Sequence, residues 1–209
     1  MIKAVLFDLD GVLVDTEGIY TEFWGKMDSM FPTGVDNFAQ VIKGSTLSKI
    51  LTTYFPAPDT QEKIRAMLAD QEHNMEYRLF PGVMELMAQL KERGIKTAIV
   101  TSSNREKMRH LFAQLPALEA AIDTLVTDED VTASKPDPQG YLLAAGRLGA
   151  GKGEFIVVED SLAGLEAGRR SGAIVAGLTT TNPLHKVEPM ADIVADEICR
   201  LDASAIAAM

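Results

Sequence analysis

Two aspartates, Asp8 and Asp10, close a short apolar run that extends from Lys3 to Leu9. A continuous apolar run is typical of a strand buried on both faces of a parallel sheet. Because strand side chains alternate with a period of two, Asp8 and Asp10 are expected to project the same way at the strand end. Two carboxylates at the end of a buried strand are costly unless a cation compensates their charge.

Polar residues also follow two later apolar runs, as Thr101-Ser102 and as Glu159-Asp160, and Lys135 lies between these runs in a Ser-Lys-Pro-Asp sequence. In open α/β sheets, ligands bind beyond the carboxyl ends of the strands, so we expect these groups to meet. Carboxylates gathered without histidine or cysteine suit a hard cation such as Mg2+. The hydroxyls and the lysine would supply donors to an anion beside that ion.

A phosphoryl group fits this set of residues. Mg2+ would neutralise charge on its oxygens, while Lys135, Thr101 and Ser102 hold the others. A carboxylate, Asp8, can act as nucleophile, and Asp10 can protonate the leaving oxygen and then deprotonate water. Taken singly, each motif also has an ordinary structural explanation as a turn, a helix cap or an exposed loop.

Strand-like and helix-like patterns alternate from residue 81 to about 200, which is typical of a doubly wound α/β fold with a parallel sheet. Ser161 can cap a helix that runs through Arg170 and closes at Gly172. The later predicted strands are Lys96–Thr101, Ile122–Val126, Phe155–Val158, Ala173–Ala176 and, more weakly, Ile193–Ala195. Apolar residues at helical spacing are Val83, Leu86, Met87 and Leu90, and then Met108, Leu111, Phe112 and Leu115.

Residues 15–80 break this alternation, because helical stretches such as Glu17–Met30 and Thr60–Met75 replace the strands. We interpret this segment as a small all-helical domain inserted after the first strand. The α/β core domain, with the active site, then comprises residues 1–14 and 81–209.

Composition restricts the possible partners. The 209 residues carry 30 acidic and 20 basic side chains, and this acidic balance argues against nucleic-acid binding. The single cysteine, Cys199, excludes a disulfide framework and indicates a reducing compartment. No apolar run reaches the length of a membrane span and the N-terminus lacks a signal-peptide pattern. We therefore expect a cytoplasmic monomer whose partner is a small-molecule phosphate ester.

Four motifs in order, Phe7–Val12, Thr101, Lys135 and Glu159–Gly164, resemble those of the haloacid dehalogenase-like (HAD) hydrolase superfamily. The resemblance extends over nearly the whole chain. It implies a HAD-like core, and it implies that the helical insert is a mobile cap that closes over the substrate and excludes water.

The resemblance also implies a role for each motif residue. Asp8 would be the nucleophile and Asp10 the acid/base, with Thr101 and Lys135 as phosphate ligands. Asp8 and Asp160 would bind Mg2+, with Asp10 reaching the metal through its backbone carbonyl. Glu159 is predicted beside Asp160 in the metal site, as a ligand or as its support.

The similarity is strongest to the β-phosphoglucomutase-like branch, through the segments Asp10–Thr16 and Val158–Gly164. Mutases of that branch carry a histidine where this chain has Tyr20, and an arginine in the stretch that here reads Lys43–Lys49. Both differences remove a residue that would bind a second phosphate, so hydrolysis is favoured over phosphosugar mutase activity. A phospho-accepting signalling domain is a third possibility, which the Asp8/Asp10 pair and the insert disfavour.

The insert supplies four candidates for substrate contact, although a solvated or packed helix surface is the more common explanation for each. These candidates are Tyr20, Lys43, Lys49 and Arg78. The sequence thus predicts a Mg2+-dependent phosphomonoester hydrolase that forms an aspartyl-phosphate.

Overall fold

The computed structural model describes residues 1–209, apart from the side chain of Glu17. Within this described chain, six parallel strands form one sheet in the order β3-β2-β1-β4-β5-β6. The strands are β1 (Ala4–Phe7), β2 (Lys96–Val100), β3 (Thr124–Val126), β4 (Phe155–Glu159), β5 (Ile174–Leu178) and β6 (Ile193–Ala195). This doubly wound order confirms the predicted fold class, and its switch point lies between β1 and β4.

Helices connect the strands and cover both faces of the sheet. Between β1 and β2 lie α1 (Glu17–Met30), α2 (Phe38–Val41), α3 (Leu47–Tyr54), α4 (Pro58–Asn74) and α5 (Val83–Glu92). The remaining α-helices are α6 (Arg105–Gln114), α7 (Pro116–Ala121), α8 (Gln139–Leu148), α9 (Leu162–Ser171), α10 (Leu184–Val187) and α11 (Ala203–Ala207). Short 3-10 turns span Asp128–Asp130, Glu188–Met190 and Ile198–Arg200. None of the helices in the described chain combines the length and the apolarity needed to cross a membrane.

The central strand shows why the apolar runs are continuous rather than alternating. On β1, Val5 and Phe7 belong to the apolar cluster that includes α5 and α6, whereas Ala4 and Leu6 belong to the cluster that includes α8. All four side chains are fully buried. A strand covered on both faces must be apolar at every position. This requirement ends at the carboxyl end of β1, where the polar residues follow.

The helices at residues 17–74 have an apolar cluster of their own, separate from the two that cover the sheet. Its centre is aromatic: Trp24 packs edge-on against Phe23 and Phe38, with ring centroids 5.2 and 6.0 Å apart, and stacks on Phe55 at 6.5 Å. Burial of these rings stabilises the packing of the helices against one another.

Two of the predicted helix ends are confirmed in detail. The Ser161 hydroxyl accepts a hydrogen bond from the Gly164 amide at 3.0 Å and so caps α9. Gly172 closes the same helix with a φ of 80°. The first strand is shorter than predicted: it ends at Phe7, and the chain turns at Gly11, whose φ is 82°.

Candidate active site

The site begins where the neighbouring strands β1 and β4 end. Phe7 lies opposite Val158 in the sheet, and the Asp8 amide donates to the Val158 carbonyl at 3.0 Å. Asp8 and Glu159 therefore leave the sheet side by side at its switch point. This is the edge at which doubly wound folds bind ligands.

Lys135 brings these two carboxylates together. Its ammonium donates to Oε1 of Glu159 at 2.6 Å and to the Val100 carbonyl at 3.2 Å, and it also contacts Oδ1 of Asp8. Burial alone would lower the pKa of Lys135, but the charges of Asp8 and Glu159 outweigh it and raise that pKa. The lysine therefore stays charged in the protein interior.

Glu159 is fully buried, and donors surround both of its oxygens. Oε1 accepts from the Tyr141 hydroxyl at 2.8 Å as well as from Lys135, while Oε2 accepts from the Asp160 and Ser161 amides and the Ser161 hydroxyl, each at 3.0 Å. Burial would raise the pKa of Glu159, but Lys135 and these hydrogen bonds lower it. The carboxylate thus stays ionised and holds Lys135 in place.

Two glycines of the predicted motifs allow the carboxylates to approach the backbone. A β-carbon on Gly164 would lie 1.7 Å from Oε1 of Glu159, and one on Gly11 would lie 2.1 Å from Oδ2 of Asp160. Neither position can hold a side chain without moving a site carboxylate, which gives a steric reason for both glycines.

Asp8, Glu159 and Asp160 form a group of carboxylates in which one oxygen from each lies within 4.8 Å of the other two. Burial, opposed by Lys135 but reinforced by Glu159, raises the pKa of Asp8 to about 7. Such a rise is expected where buried carboxylates outnumber the cation between them. Oxygen donors in this arrangement fit a divalent cation of the Mg2+ type.

Asp10 lines the same cavity as Asp8 but has different partners. Oδ2 accepts from Lys107 at 2.6 Å and from the Ser103 hydroxyl at 3.2 Å. Oδ1 accepts from Lys107 at 2.8 Å and also contacts the Thr16 hydroxyl. The side chain of Asp10 is not part of the three-carboxylate group.

Thr101 and Ser102 lie on the wall of the cavity, next to the end of β2. Thr101 is buried, and its hydroxyl oxygen accepts from the Ser103 amide at 3.0 Å. The Ser102 hydroxyl donates to the Gly44 carbonyl at 3.0 Å, so it joins the loop after β2 to the loop before α3. Thr101 and Ser102, the predicted phosphate ligands, therefore line the same cavity as Asp8.

Asp8, Asp10 and Asp160 line a cavity of about 320 Å3 between the carboxyl end of the sheet and helices α1–α4. Of the predicted contact residues, Tyr20 and Lys43 line this cavity. Lys49 and Arg78 are exposed and lie outside it, and Arg78 pairs with Glu76 at 2.8 Å.

Sequence reasoning missed several residues of the site. Lys107, Trp24 and Arg65 line the cavity, and Tyr141 donates to Glu159. Lys107 did leave a signal in the sequence, because it falls one helical turn before Leu111 on the apolar stripe of α6. A cation on a core-facing stripe needs a buried partner, and here that partner is Asp10.

Comparison with known proteins agrees with this geometry. Residues 2–172 match the model of the haloacid dehalogenase-like hydrolase family, and the chain belongs to that family.

Two curated relatives cover most of the chain. Hexitol phosphatase A of Escherichia coli is 34% identical over 83% of this chain and 81% of its own. The validoxylamine A 7'-phosphate phosphatase of Streptomyces hygroscopicus subsp. limoneus is 29% identical over 92% of this chain and 91% of its own. Among solved structures, β-phosphoglucomutase from Clostridium difficile shares the fold, with a TM-score of 0.76 at 22% identity over 99% of this chain and 96% of its own. The predicted resemblance to the HAD superfamily is confirmed by the family match, and the likeness to β-phosphoglucomutase shows a shared fold.

Proposed function

We propose that this protein is a Mg2+-dependent phosphomonoester hydrolase that transfers the phosphoryl group of a small metabolite to Asp8 and then to water. The predicted class of enzyme, a phosphatase, is confirmed by the family match and the phosphatases among the relatives. The metal, the covalent step and the residue roles are proposals. One observation supports them above all: Asp8 and Asp160 line the same cavity, and Lys135 contacts Asp8 from beside it.

In the first step, an oxygen of Asp8 attacks phosphorus, and the bond from phosphorus to the leaving oxygen breaks as Asp10 gives that oxygen a proton. In the second step, Asp10 takes a proton from water, the water oxygen bonds to phosphorus, and the bond to Asp8 breaks. The products are an alcohol, inorganic phosphate and the original enzyme. Splitting hydrolysis in this way replaces one difficult step by two easier ones.

The group of Asp8, Glu159 and Asp160 fits Mg2+, with Asp8 and Asp160 as the proposed side-chain ligands and the Asp10 carbonyl as a further one. When bound, the ion would neutralise charge on the phosphoryl oxygens. The proposed role of Glu159 is to support this site, because both of its oxygens already accept hydrogen bonds from protein donors.

Residues 15–80 are proposed to act as the cap domain. Their helices have their own apolar cluster, and the Ser102–Gly44 hydrogen bond joins them to the core at the mouth of the cavity. At Gly44, whose φ is 77°, an added β-carbon would lie 2.7 Å from the Ser161 hydroxyl. We propose that this close contact between the insert and the core helps to keep water away from the reacting groups.

The environment of Tyr20 supports hydrolysis over phosphosugar mutase activity. Its hydroxyl donates to Glu72 at 2.9 Å, and burial together with the charges of Asp10 and Glu72 raises its pKa well above the ordinary value. A phenol in these surroundings stays protonated and cannot take the part of a titrating histidine.

The direct test is turnover of a panel of sugar phosphates, other alkyl phosphates and pyrophosphate with Mg2+, with Asp8→Asn as the matched inactive variant. We expect release of phosphate from at least one ester and a loss of more than about 1000-fold in kcat for Asp8→Asn. Circular dichroism checks that the variant is folded. A variant within about tenfold of the wild type, a barrier change of only about 1.4 kcal/mol, would rule out Asp8 as nucleophile.

A further inference from the structure

Lys107 is a buried cation outside the four sequence motifs, and it contacts the proposed acid/base. Its side chain is 2% exposed, and its ammonium lies 2.6 and 2.8 Å from the two oxygens of Asp10. A third hydrogen bond, to the Ser103 hydroxyl, spans 2.9 Å. Burying a lysine is costly unless its charge is paired and its hydrogen bonds are made, and these contacts meet that requirement.

The contacts of Lys107 fix the orientation of the Asp10 carboxylate. A single donor leaves a carboxylate free to rotate, whereas an ammonium that bonds both oxygens restricts the rotation. The Ser103 and Thr16 hydroxyls contact one oxygen each and complete the restraint. Charge-assisted hydrogen bonds are stronger than neutral ones, so Lys107 is the main member of this set.

Lys107 also contacts the helical insert. Its ammonium lies 4.5 Å from the centre of the Tyr20 ring, within the range of a cation–π interaction. Tyr20 belongs to α1 and donates to Glu72 of α4 at 2.9 Å. A continuous series of contacts therefore runs from the Asp10 carboxylate through Lys107 to two helices of the insert.

On the basis of the proposed function, we infer that Lys107 is a positioning residue for the acid/base. It holds the Asp10 carboxylate in one orientation, and through the Tyr20 ring it makes that orientation depend on the seating of helix α1. A proton-transferring group acts efficiently only when it is correctly placed, so loss of Lys107 reduces turnover more than substrate binding.

The first test compares Lys107→Met with Arg109→Met, which removes an exposed cation from the same helix. With an alkyl phosphate that the wild type hydrolyses, we expect kcat of Lys107→Met to fall by about 10- to 100-fold, with KM changed less than about threefold. Arg109→Met should match the wild type. A kcat of Lys107→Met equal to that of Arg109→Met, or a rise in KM alone, would overturn the inference.

The second test uses p-nitrophenyl phosphate, whose leaving group departs without needing a proton. In Lys107→Met the first step should persist while the second slows, which gives a burst of p-nitrophenolate equal to the enzyme concentration. A variant with a general structural defect would lose both steps together and give no burst. The absence of a burst from a slowed variant would count against a positioning role.

The third test asks whether Lys107 acts through Asp10 alone. In the Asp10→Asn background, acetyl phosphate should phosphorylate Asp8, and mass spectrometry follows the adduct. Adding Lys107→Met to that background should change the rate of adduct formation by less than about twofold, because residues that act as a unit are not additive. A tenfold slower rate would show that Lys107 acts on the phosphoryl group directly.

Variants of Tyr20 test the link to the insert without touching Lys107. Tyr20→Phe keeps the ring and Tyr20→Leu removes it, so Tyr20→Leu should lose at least about threefold more in kcat than Tyr20→Phe. Equal losses of kcat in the two Tyr20 variants would refute the link. This test does not need Lys107→Met, so it stands even if that variant does not fold. If the wild type hydrolyses no ester and takes no phosphoryl group from acetyl phosphate, the proposed function itself fails. If the wild type is active and Lys107→Met has the same kcat, only the inference about Lys107 fails.

Discussion

Nζ of Lys135 lies 2.6 Å from Oε1 of Glu159, in an ion pair whose side chains are 7% and 0% exposed. The same ammonium contacts Asp8, so this pair joins the proposed nucleophile to the buried end of β4. Removing one partner of a buried pair leaves an uncompensated charge, which is strongly destabilising.

We therefore predict that Lys135→Met lowers the free energy of unfolding by about 3–5 kcal/mol. Urea denaturation with a chelator present measures this loss without compensation by a metal. Lys3→Met is the matched control, because it breaks an exposed pair with Glu154 whose side chains are 53% and 37% exposed. An exposed pair contributes less than about 1 kcal/mol, so equal losses in the two variants would contradict the prediction.

The group of Asp8, Glu159 and Asp160 predicts dependence on a divalent cation. EDTA should abolish turnover and Mg2+ should restore it. Asp160→Ala should need at least about tenfold more Mg2+ for half-maximal activity, since it removes a proposed ligand. Asp36→Ala, at an exposed aspartate, should leave the requirement unchanged. Full activity in EDTA, measured as phosphate release, would refute a metal role for these carboxylates.

Asp130 predicts a dependence of stability on pH outside the active site. Burial alone would raise its pKa, but hydrogen bonds from the Thr127 amide at 3.0 Å, the Thr127 hydroxyl at 2.9 Å and Arg147 at 3.1 Å, with the charge of Arg105, lower it to about 2. A carboxyl whose pKa is lower in the folded state stabilises the fold above its unfolded pKa. That stabilisation is lost as the pH falls from about 4 to about 2.

The difference in unfolding free energy between the wild type and Asp130→Asn should therefore shrink by up to about 2 kcal/mol across that interval. Urea denaturation of both proteins at a series of pH values measures it, with Asp36→Asn as an exposed control. A difference that stays constant between pH 5 and pH 2 would contradict the lowered pKa.

The sequence predicted the parts of the site that depend on strand ends. Asp8, Thr101 and Asp160 follow buried strands, and parallel strands bring their carboxyl ends to one edge, so their proximity follows from the apolar runs alone. Lys135 could be added from the motif that resembles the HAD family.

The remaining contacts depend on how helices pack, which the periodicity of a sequence does not fix. The position of α6 beside the turn that follows β1 brings Lys107 to Asp10. The position of α1 brings the Tyr20 ring to Lys107. Lys49 is a second example of a contact that the sequence does not fix. Its neighbours Ser48 and Ile50 line the cavity, but the side chain of Lys49 is exposed. Specificity residues on an inserted helical segment are therefore harder to predict than catalytic residues on strand ends.

The last prediction concerns Asp10 and separates hydrolysis from simple phosphorylation. Asp10 must carry a proton when the alcohol leaves and must be ionised when water attacks the phosphorylated Asp8. An asparagine at this position can do neither, but the nucleophile and the groups around Lys135 remain. Acetyl phosphate has a good leaving group, so Asp10→Asn should still accept its phosphoryl group and then stall.

We expect mass spectrometry of intact Asp10→Asn to show one added phosphoryl group after incubation with acetyl phosphate and Mg2+. The double variant with Asp8→Asn is the control, and it should show none, because the attacking oxygen has been replaced. Lys107 loses its charged partner in Asp10→Asn, so thermal denaturation should accompany the measurement to show that the variant is folded. If Asp10→Asn instead hydrolysed sugar phosphates at the wild-type rate, Asp10 would have no part in proton transfer. Its contacts with Thr16, Ser103 and Lys107 would then serve only to hold the turn that follows β1.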